Sequence, residues 1–268
     1  MTPPRSFVHY VGRRVTTAGR PSRRSPWFSE AQGKEEGFVQ PKYHVTRARH
    51  GPASRVEAGD LIWLFAQLQS RWAVFPPSLD ARIVVSDVRA LGGAGGNRGG
   101  FRYEAGPDSK WFPLYDATET LRTLSTIDSH GSTRPLLDSP DRSVGAALRA
   151  MRQLVDAAPL FALEEHLETI GFDFVSYRLA DGTPKAAKKA SELVLGGAAV
   201  FWDRWSLPRR LVERREVLDD SALTDHIREQ MRGSTTVWGI VTDSYAEAGS
   251  YSRAEMDLAR SLGKFREV

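Results

Sequence analysis

At Gly171 the pattern of the chain changes, and that change limits what the sequence can fold into. Beyond it, strand-like and helix-like segments alternate. Phe172–Tyr177 reads as a strand and Thr183–Leu195 as a helix. Ala198–Trp202, Ser221–Met231, Thr235–Val241 and Tyr251–Leu262 then read as strand, helix, strand and helix. Such alternation predicts βαβ units and a parallel sheet.

Before Gly171 the pattern is denser. Phe7–Val15, Gly37–Thr46, Asp60–Ala66, Ala81–Val88 and Gly100–Ala105 each read as strands with turn residues between them. Short strands at this density predict a β-rich, barrel-like domain over residues 1–135. The Gly92–Gly100 stretch has neither Gly-Lys-Ser/Thr nor a dinucleotide spacing, and reads as a hairpin loop. Asp141 or Ser143 is placed to cap a helix through about Asp156, with a second amphipathic segment from Leu160 to Thr169. The expected organisation is a β-rich domain (1–135), a helical connector (136–170) and an α/β domain (171–268).

The 268 residues contain no cysteine, which excludes a disulfide scaffold, a thiolate metal site and a cysteine nucleophile. The longest apolar runs, Leu61–Gln67 and Val194–Trp202, are too short to span a bilayer, and Met1–Ser6 lacks a secretory pattern. The expectation is a cytoplasmic protein with no membrane association. Residues 1–50 carry ten Lys/Arg against Glu30, Glu35 and Glu36, whereas the chain from residue 169 is balanced. A nucleic acid or nucleotide partner is therefore expected at the N-terminal half, where Trp27, Trp63 and Trp111 are candidate exposed aromatics. A solvated arginine-rich surface explains the same balance. The six histidines show no metal-ligand spacing and are expected at the surface or in turns; no metal site is expected.

Ligands of open parallel sheets sit beyond the carboxyl ends of the strands. Here those ends are Ser176-Tyr-Arg, Trp202-Asp-Arg-Trp and Thr242-Asp-Ser-Tyr. In the last helix, Tyr251, Ala254, Glu255, Leu258, Ala259 and Leu262 share one face by spacing, so Glu255 is a carboxylate on a face that should pack on the sheet. Two readings fit it: a functional carboxylate, or a capping box in which Ser252 caps the helix and Glu255 reaches back to its backbone N–H.

Phe172-Asp-Phe-Val-Ser-Tyr-Arg-Leu-Ala-Asp resembles the opening strand of Toll/interleukin receptor (TIR) domains. Val200-Phe-Trp-Asp-Arg-Trp-Ser-Leu-Pro is similar to their second strand and following loop. Ser234–Tyr245 is similar to the third strand, and Gly249-Ser-Tyr-Ser-Arg-Ala-Glu255 to the helix with the family's glutamate. The resemblance covers residues 171–262 and implies a flavodoxin-like parallel sheet. Bacterial and some eukaryotic members of this family cleave the nicotinamide–ribose bond of NAD, which implies Glu255 as the catalytic carboxylate. Tyr177, Arg178, Trp202, Asp203 and Tyr251 are then the substrate contacts; the alternatives are that Trp202 is core and that Arg178 pairs with Asp181. Tyr251 stands where many bacterial members carry tryptophan. NAD is substrate, and no cofactor is implied.

By this resemblance the chain is an NAD glycohydrolase effector of a defence or toxin type, activated by ligand binding or by assembly with itself or a partner protein. Two alternatives stay open: a non-enzymatic interaction module, and a nucleoside deoxyribosyltransferase-like enzyme, which shares the architecture. Two features depart from the family. The chain ends at Val268, directly after the glutamate helix, so either the sheet is short or the N-terminal half supplies strands. The loop Arg204–Asp220 is long and highly charged, so its family role in subunit assembly is not assumed. In the first half, Val56-Glu-Ala-Gly-Asp-Leu-Ile-Trp-Leu resembles a strand of PUA-like barrels, which bind RNA or modified bases; a plain structural barrel is the alternative.

Overall fold

The computed structural model describes residues 4–14, 40–92, 99–128, 130–137, 143–178, 181–206, 220–246 and 250–268. Its larger sheet grows around the apolar run after Asp60. Strand β4 (Leu61–Gln69) is buried on both faces. Leu61, Trp63 and Phe65 enter one core and Ile62 and Leu64 another, as the two-residue period of a strand requires. β4 pairs in parallel with β1 (Ser6–Tyr10) on one side and antiparallel with β5 (Pro77–Ala90) on the other. β6 (Phe101–Ala105) and β3 (Tyr43–Thr46) extend the sheet past β5. β10 (Arg152–Leu154), β8 (Ser125–Ile127) and β9 (Thr133–Pro135) extend it past β1, and the two-residue strands β2 (Arg13–Arg14) and β7 (Lys110–Trp111) flank β4 and β5.

The order β3-β6-β5-β4-β1-β10-β8-β9 does not close among the described residues, so the expected barrel is instead an open mixed sheet. β5 carries β6 and β3 past the end of β4, across an irregularity between Val85 and Asp87. The other end stops at the three-residue, solvent-exposed β9.

The helical connector also needs correction. Asp141 lies outside the described residues, and Ser143 caps a single turn, α2 (Val144–Ala147), its Oγ accepting from the Ala146 N–H at 3.2 Å. The chain then extends into β10, which sits between β1 and β8. The apolar spacing that suggests one long helix instead feeds two cores. Val144, Leu148 and Leu154 enter the first and Met151 the second. Pairing along the bare edge of β1 outweighs helical periodicity here. Helix α1 (Thr118–Thr123) contributes Leu121 to the first core. Helix α3 (Ala158–Ile170) is tied to the sheet through the buried Glu164, which accepts from Arg82 at 2.6 Å and Lys110 at 2.8 Å.

Several residues assigned to the basic half lie elsewhere than expected. Trp63 is fully buried and Trp111 half-buried, so neither is an exposed aromatic. Trp27, Arg20, Arg23, Arg24 and Lys34 lie outside the described residues, and Arg5 is ion-paired with Glu57 and Asp60. His9 and His44 are not at the surface. They form a buried pair at 2.8 Å, and burial lowers both, His9 to about 4.

The second sheet is parallel throughout, in the order β12-β11-β13-β14: β11 (Asp173–Tyr177), β12 (Val200–Phe201), β13 (Val237–Ile240) and β14 (Phe265–Glu267). Crossovers run through α4 (Thr183–Leu195), α6 (Asp220–Gly233) and α7 (Tyr251–Ser261), and the short α5 (Asp203–Ser206) follows β12. Residues 207–219 of the charged loop lie outside the described residues, as do residues 93–98 of the glycine-rich loop. Connections leave β11 toward β12 and then cross to β13, so the order reverses beside β11. Among the described residues no helix is long and apolar enough to cross a membrane.

The two sheets share a core. Ala66, Leu68, Phe75 and Leu114 of the first pack with Val175, Val200, Trp202, Trp205 and the α4 face of Ala186, Ala187, Ala190 and Val194. Leu114 pairs antiparallel with Val200 through bonds of 3.0 and 2.8 Å, so it prolongs the β12 edge. Phe75 stacks on Trp202 with ring centroids 5.7 Å apart, Trp205 Nε1 donates to the Phe112 carbonyl at 2.9 Å, and Ser191 Oγ donates to the Val74 carbonyl at 2.5 Å. Removing Phe75 leaves a cavity over Trp202, and Phe75→Ala is expected to cost roughly 3–5 kcal/mol in a single unfolding transition shared by both halves. Residues 171–268 expressed alone are expected to aggregate rather than fold, as read by circular dichroism and denaturant melts. A soluble, cooperatively unfolding fragment is the opposite outcome.

Candidate active site

β11 ends at the switch point with Ser176 and Tyr177, neighbours whose side chains leave opposite faces of the sheet. On one face, Ser176 Oγ donates to Glu255 Oε2 at 2.5 Å and lies 2.7 Å from Tyr245 Oη. Serine has one proton to give, so the phenol donates to the serine and the serine to the carboxylate. Gly239 sits opposite Ser176 on β13, and this chain of bonds needs a glycine there. A Cβ at that position would lie 2.3 Å from the Phe265 ring and 3.2 Å from the Tyr245 hydroxyl.

Glu255 is therefore not part of a capping box. The cap of α7 is Ser250, whose Oγ accepts from the Arg253 N–H at 3.1 Å. Ser252 is buried and donates to the Tyr245 carbonyl at 2.6 Å, which pins the helix to the loop after β13. Burial pushes the Glu255 carboxyl up to about 7. The charge of Asp203 adds to this and the Ser176 hydrogen bond opposes it.

On the other face, Tyr177 Oη donates to Asp203 Oδ1 at 2.7 Å and accepts from Arg204 Nε at 3.0 Å. Burial raises the Asp203 carboxyl, while Arg204 and the Tyr177 hydrogen bond pull it back. Burial and the neighbouring Asp203 both raise the Tyr177 phenol. Two partly buried carboxylates thus stand at the carboxyl end of β11, one held from each face of the strand, and the charge of Asp203 reaches Glu255.

Of the residues expected at the site, the structure brings together Glu255, Asp203 and Tyr177. Arg178 lies at the rim, where Nη1 donates to the Ser244 carbonyl at 2.5 Å; Ser244 Oγ in turn donates to Asp181. These bonds lace the loops after β11 and β13 together. Trp202 is not a stacking platform. It is fully buried in the shared core, held there by Phe75. Tyr251 is 60% exposed at the start of α7, one turn before Glu255. Ser176, Tyr245 and Arg204 belong to the site and carried no role from sequence. Their signal was position alone, in the strand-end runs Ser176-Tyr-Arg, Thr242-Asp-Ser-Tyr and Trp202-Asp-Arg-Trp. Among the described residues no three His, Asp or Glu side chains are arranged to hold a metal. No family model, curated protein or solved structure matches the chain.

Raising Glu255 from its ordinary 4.5 to about 7 ties stability to pH. The folded state holds the proton more tightly than the unfolded one. Its advantage is complete below pH 4.5, falls as pH rises through 7, and is constant above. Glu255→Gln keeps the shape and the bond from Ser176 but cannot ionise. It is expected to be about 1–3 kcal/mol more stable than wild type at pH 8, with the gap closing toward pH 4.5. Denaturant melts across pH check this. A helix-capping glutamate would give the opposite sign, a loss of about 1 kcal/mol.

Proposed function

We propose that the protein cleaves the bond between nicotinamide and ribose of NAD, with the second sheet acting as a TIR-like catalytic unit. The observation that supports this reading is Glu255: a carboxylate partly open to solvent at the switch point, held by a hydroxyl chain and surrounded by little that would solvate its charge. Departure of nicotinamide leaves a ribosyl oxocarbenium ion. A fixed anion beside it lowers the barrier far more in this setting than in water. Nicotinamide leaves as a neutral molecule, so the leaving group needs no acid. Tyr245 and Ser176 fix the orientation of the carboxylate, which spares reorganisation during the reaction. Tyr251 is exposed one turn before Glu255, and its ring would meet the nicotinamide or adenine face. The first sheet holds β12, and with it Asp203, in place through Leu114 and Phe75.

The ionised carboxylate is the active form. Because Glu255 titrates at about 7, activity is expected to fall below pH 7 and level off above it. The test incubates the full chain with NAD, both dilute and under crowding that forces assembly, and follows free nicotinamide by chromatography. Wild type is expected to release it, and Glu255→Gln to do so at least about 100-fold more slowly with its fold intact. No nicotinamide under either condition, or an undiminished Glu255→Gln variant, defeats the reading.

A further inference from the structure

We propose that Asp203 is the second catalytic carboxylate of this site, the base that takes a proton from the water attacking the ribose. This rests on the reading of the site as one that cleaves an N-glycosidic bond. Two tasks face the protein once nicotinamide departs: a negative charge must stay beside the cationic ribose, and the incoming water must lose a proton. Dividing the tasks between two carboxylates lets one keep its charge beside the ribose while the other takes the proton. The structure holds two carboxylates in different settings. Glu255 belongs to the face of Ser176 and Tyr245, and Asp203 to the face of Tyr177 and Arg204.

Asp203 has the attributes of a base. It is partly open to solvent, and the Tyr177 phenol and the Arg204 backbone N–H engage it, which leaves acceptor positions on a carboxylate that offers about four. Arg204 donates to Tyr177 and Tyr177 to Asp203, so this chain is oriented and holds the acid in one rotamer. Burial raises its carboxyl above the ordinary aspartate value, which makes it a stronger base than a solvated aspartate. Tyr177 and Arg204 are positioning residues. In the step itself, the C1′–N bond breaks with its electron pair passing to the ring nitrogen, which leaves as neutral nicotinamide. A water oxygen bonds to C1′, and one water proton passes to the Asp203 carboxylate and from there to solvent.

The step predicts a separation of two reactions. When another nicotinamide attacks C1′, its ring nitrogen carries no proton and needs no base, so exchange of isotope-labelled nicotinamide into NAD should bypass Asp203. In the full chain, Asp203→Asn is expected to slow hydrolysis about 100-fold or more while label exchange stays within about threefold of wild type. Retained exchange also shows that the site is folded. Equal loss of both reactions in a folded variant, or loss of neither, overturns the proposal. If Asp203→Asn does not fold, Tyr177→Phe decides. A ratio of hydrolysis to exchange about tenfold below wild type supports the base, and an unchanged ratio overturns it. A wild-type chain that neither hydrolyses nor exchanges defeats the underlying reading itself, an outcome distinct from all of these.

Discussion

A parallel sheet has to be covered on both faces, and the chain beyond Gly171 brings two helices for one face but a single helix for the other. Helices α6 and α7 pack over Phe174, Phe201 and Val237. On the opposite face α4 presents mostly alanine, which allows close approach but leaves Val175, Val200, Trp202 and Trp205 only partly covered by its own unit. The larger sheet supplies the remainder through Phe75, Leu114 and the ends of β4. The loop between β4 and β5 therefore acts, through Phe75, as part of the core of the second sheet.

That dependence explains which parts of the molecule were legible in the sequence. The elements beyond Gly171 were readable because each carries its own period, and α4 falls at Thr183–Leu195 as the spacing predicts. The fourth strand, Phe265–Glu267, was not readable. Three residues, two of them charged, become a strand only because β13 offers them an edge. Residues 144–154 failed for a related reason. Their apolar positions satisfy a helix and a turn followed by a strand equally well, and only the unpaired edge of β1 decides between the two.

The site was half legible. Spacing singled out Glu255, but the face it named is not the one that packs: α7 buries Ser252, Met256 and Ala259, while Tyr251, Ala254 and Leu262 are exposed and Glu255 lies at the border between the two. Strand ends pointed to Tyr177 and Asp203. The capping box misled because Ser250 and Ser252 both offer a hydroxyl near the start of α7. Which one caps depends on where the chain enters the helix, and the tie from Ser252 to Tyr245 settles that. Trp202 misled because an aromatic at a strand end looks the same whether it faces a ligand or a core. Its fate is set by Phe75, 127 positions away in the chain and in the other half. Local pattern names the chemistry; long-range packing decides which residues are free to perform it.

The period of a strand also explains how two acids come to share one site without sharing one environment. Had Ser176 and Tyr177 stood two positions apart, their partners would crowd one face, and the carboxylates would compete for the same proton. As neighbours they send their partners to opposite faces, so each acid is held from its own side of the strand end. Glu255 is then oriented by the Ser176 hydroxyl, which does not neutralise it, and Asp203 by a phenol backed by a guanidinium, which partly does. Keeping Glu255 ionised in this setting costs about 3 kcal/mol of stability above neutral pH, and the shared core between the sheets is the reservoir that offsets it. The cover over Trp202 therefore has two consequences. It completes a core that the second sheet does not complete by itself, and it fixes the backbone that leads directly into Asp203.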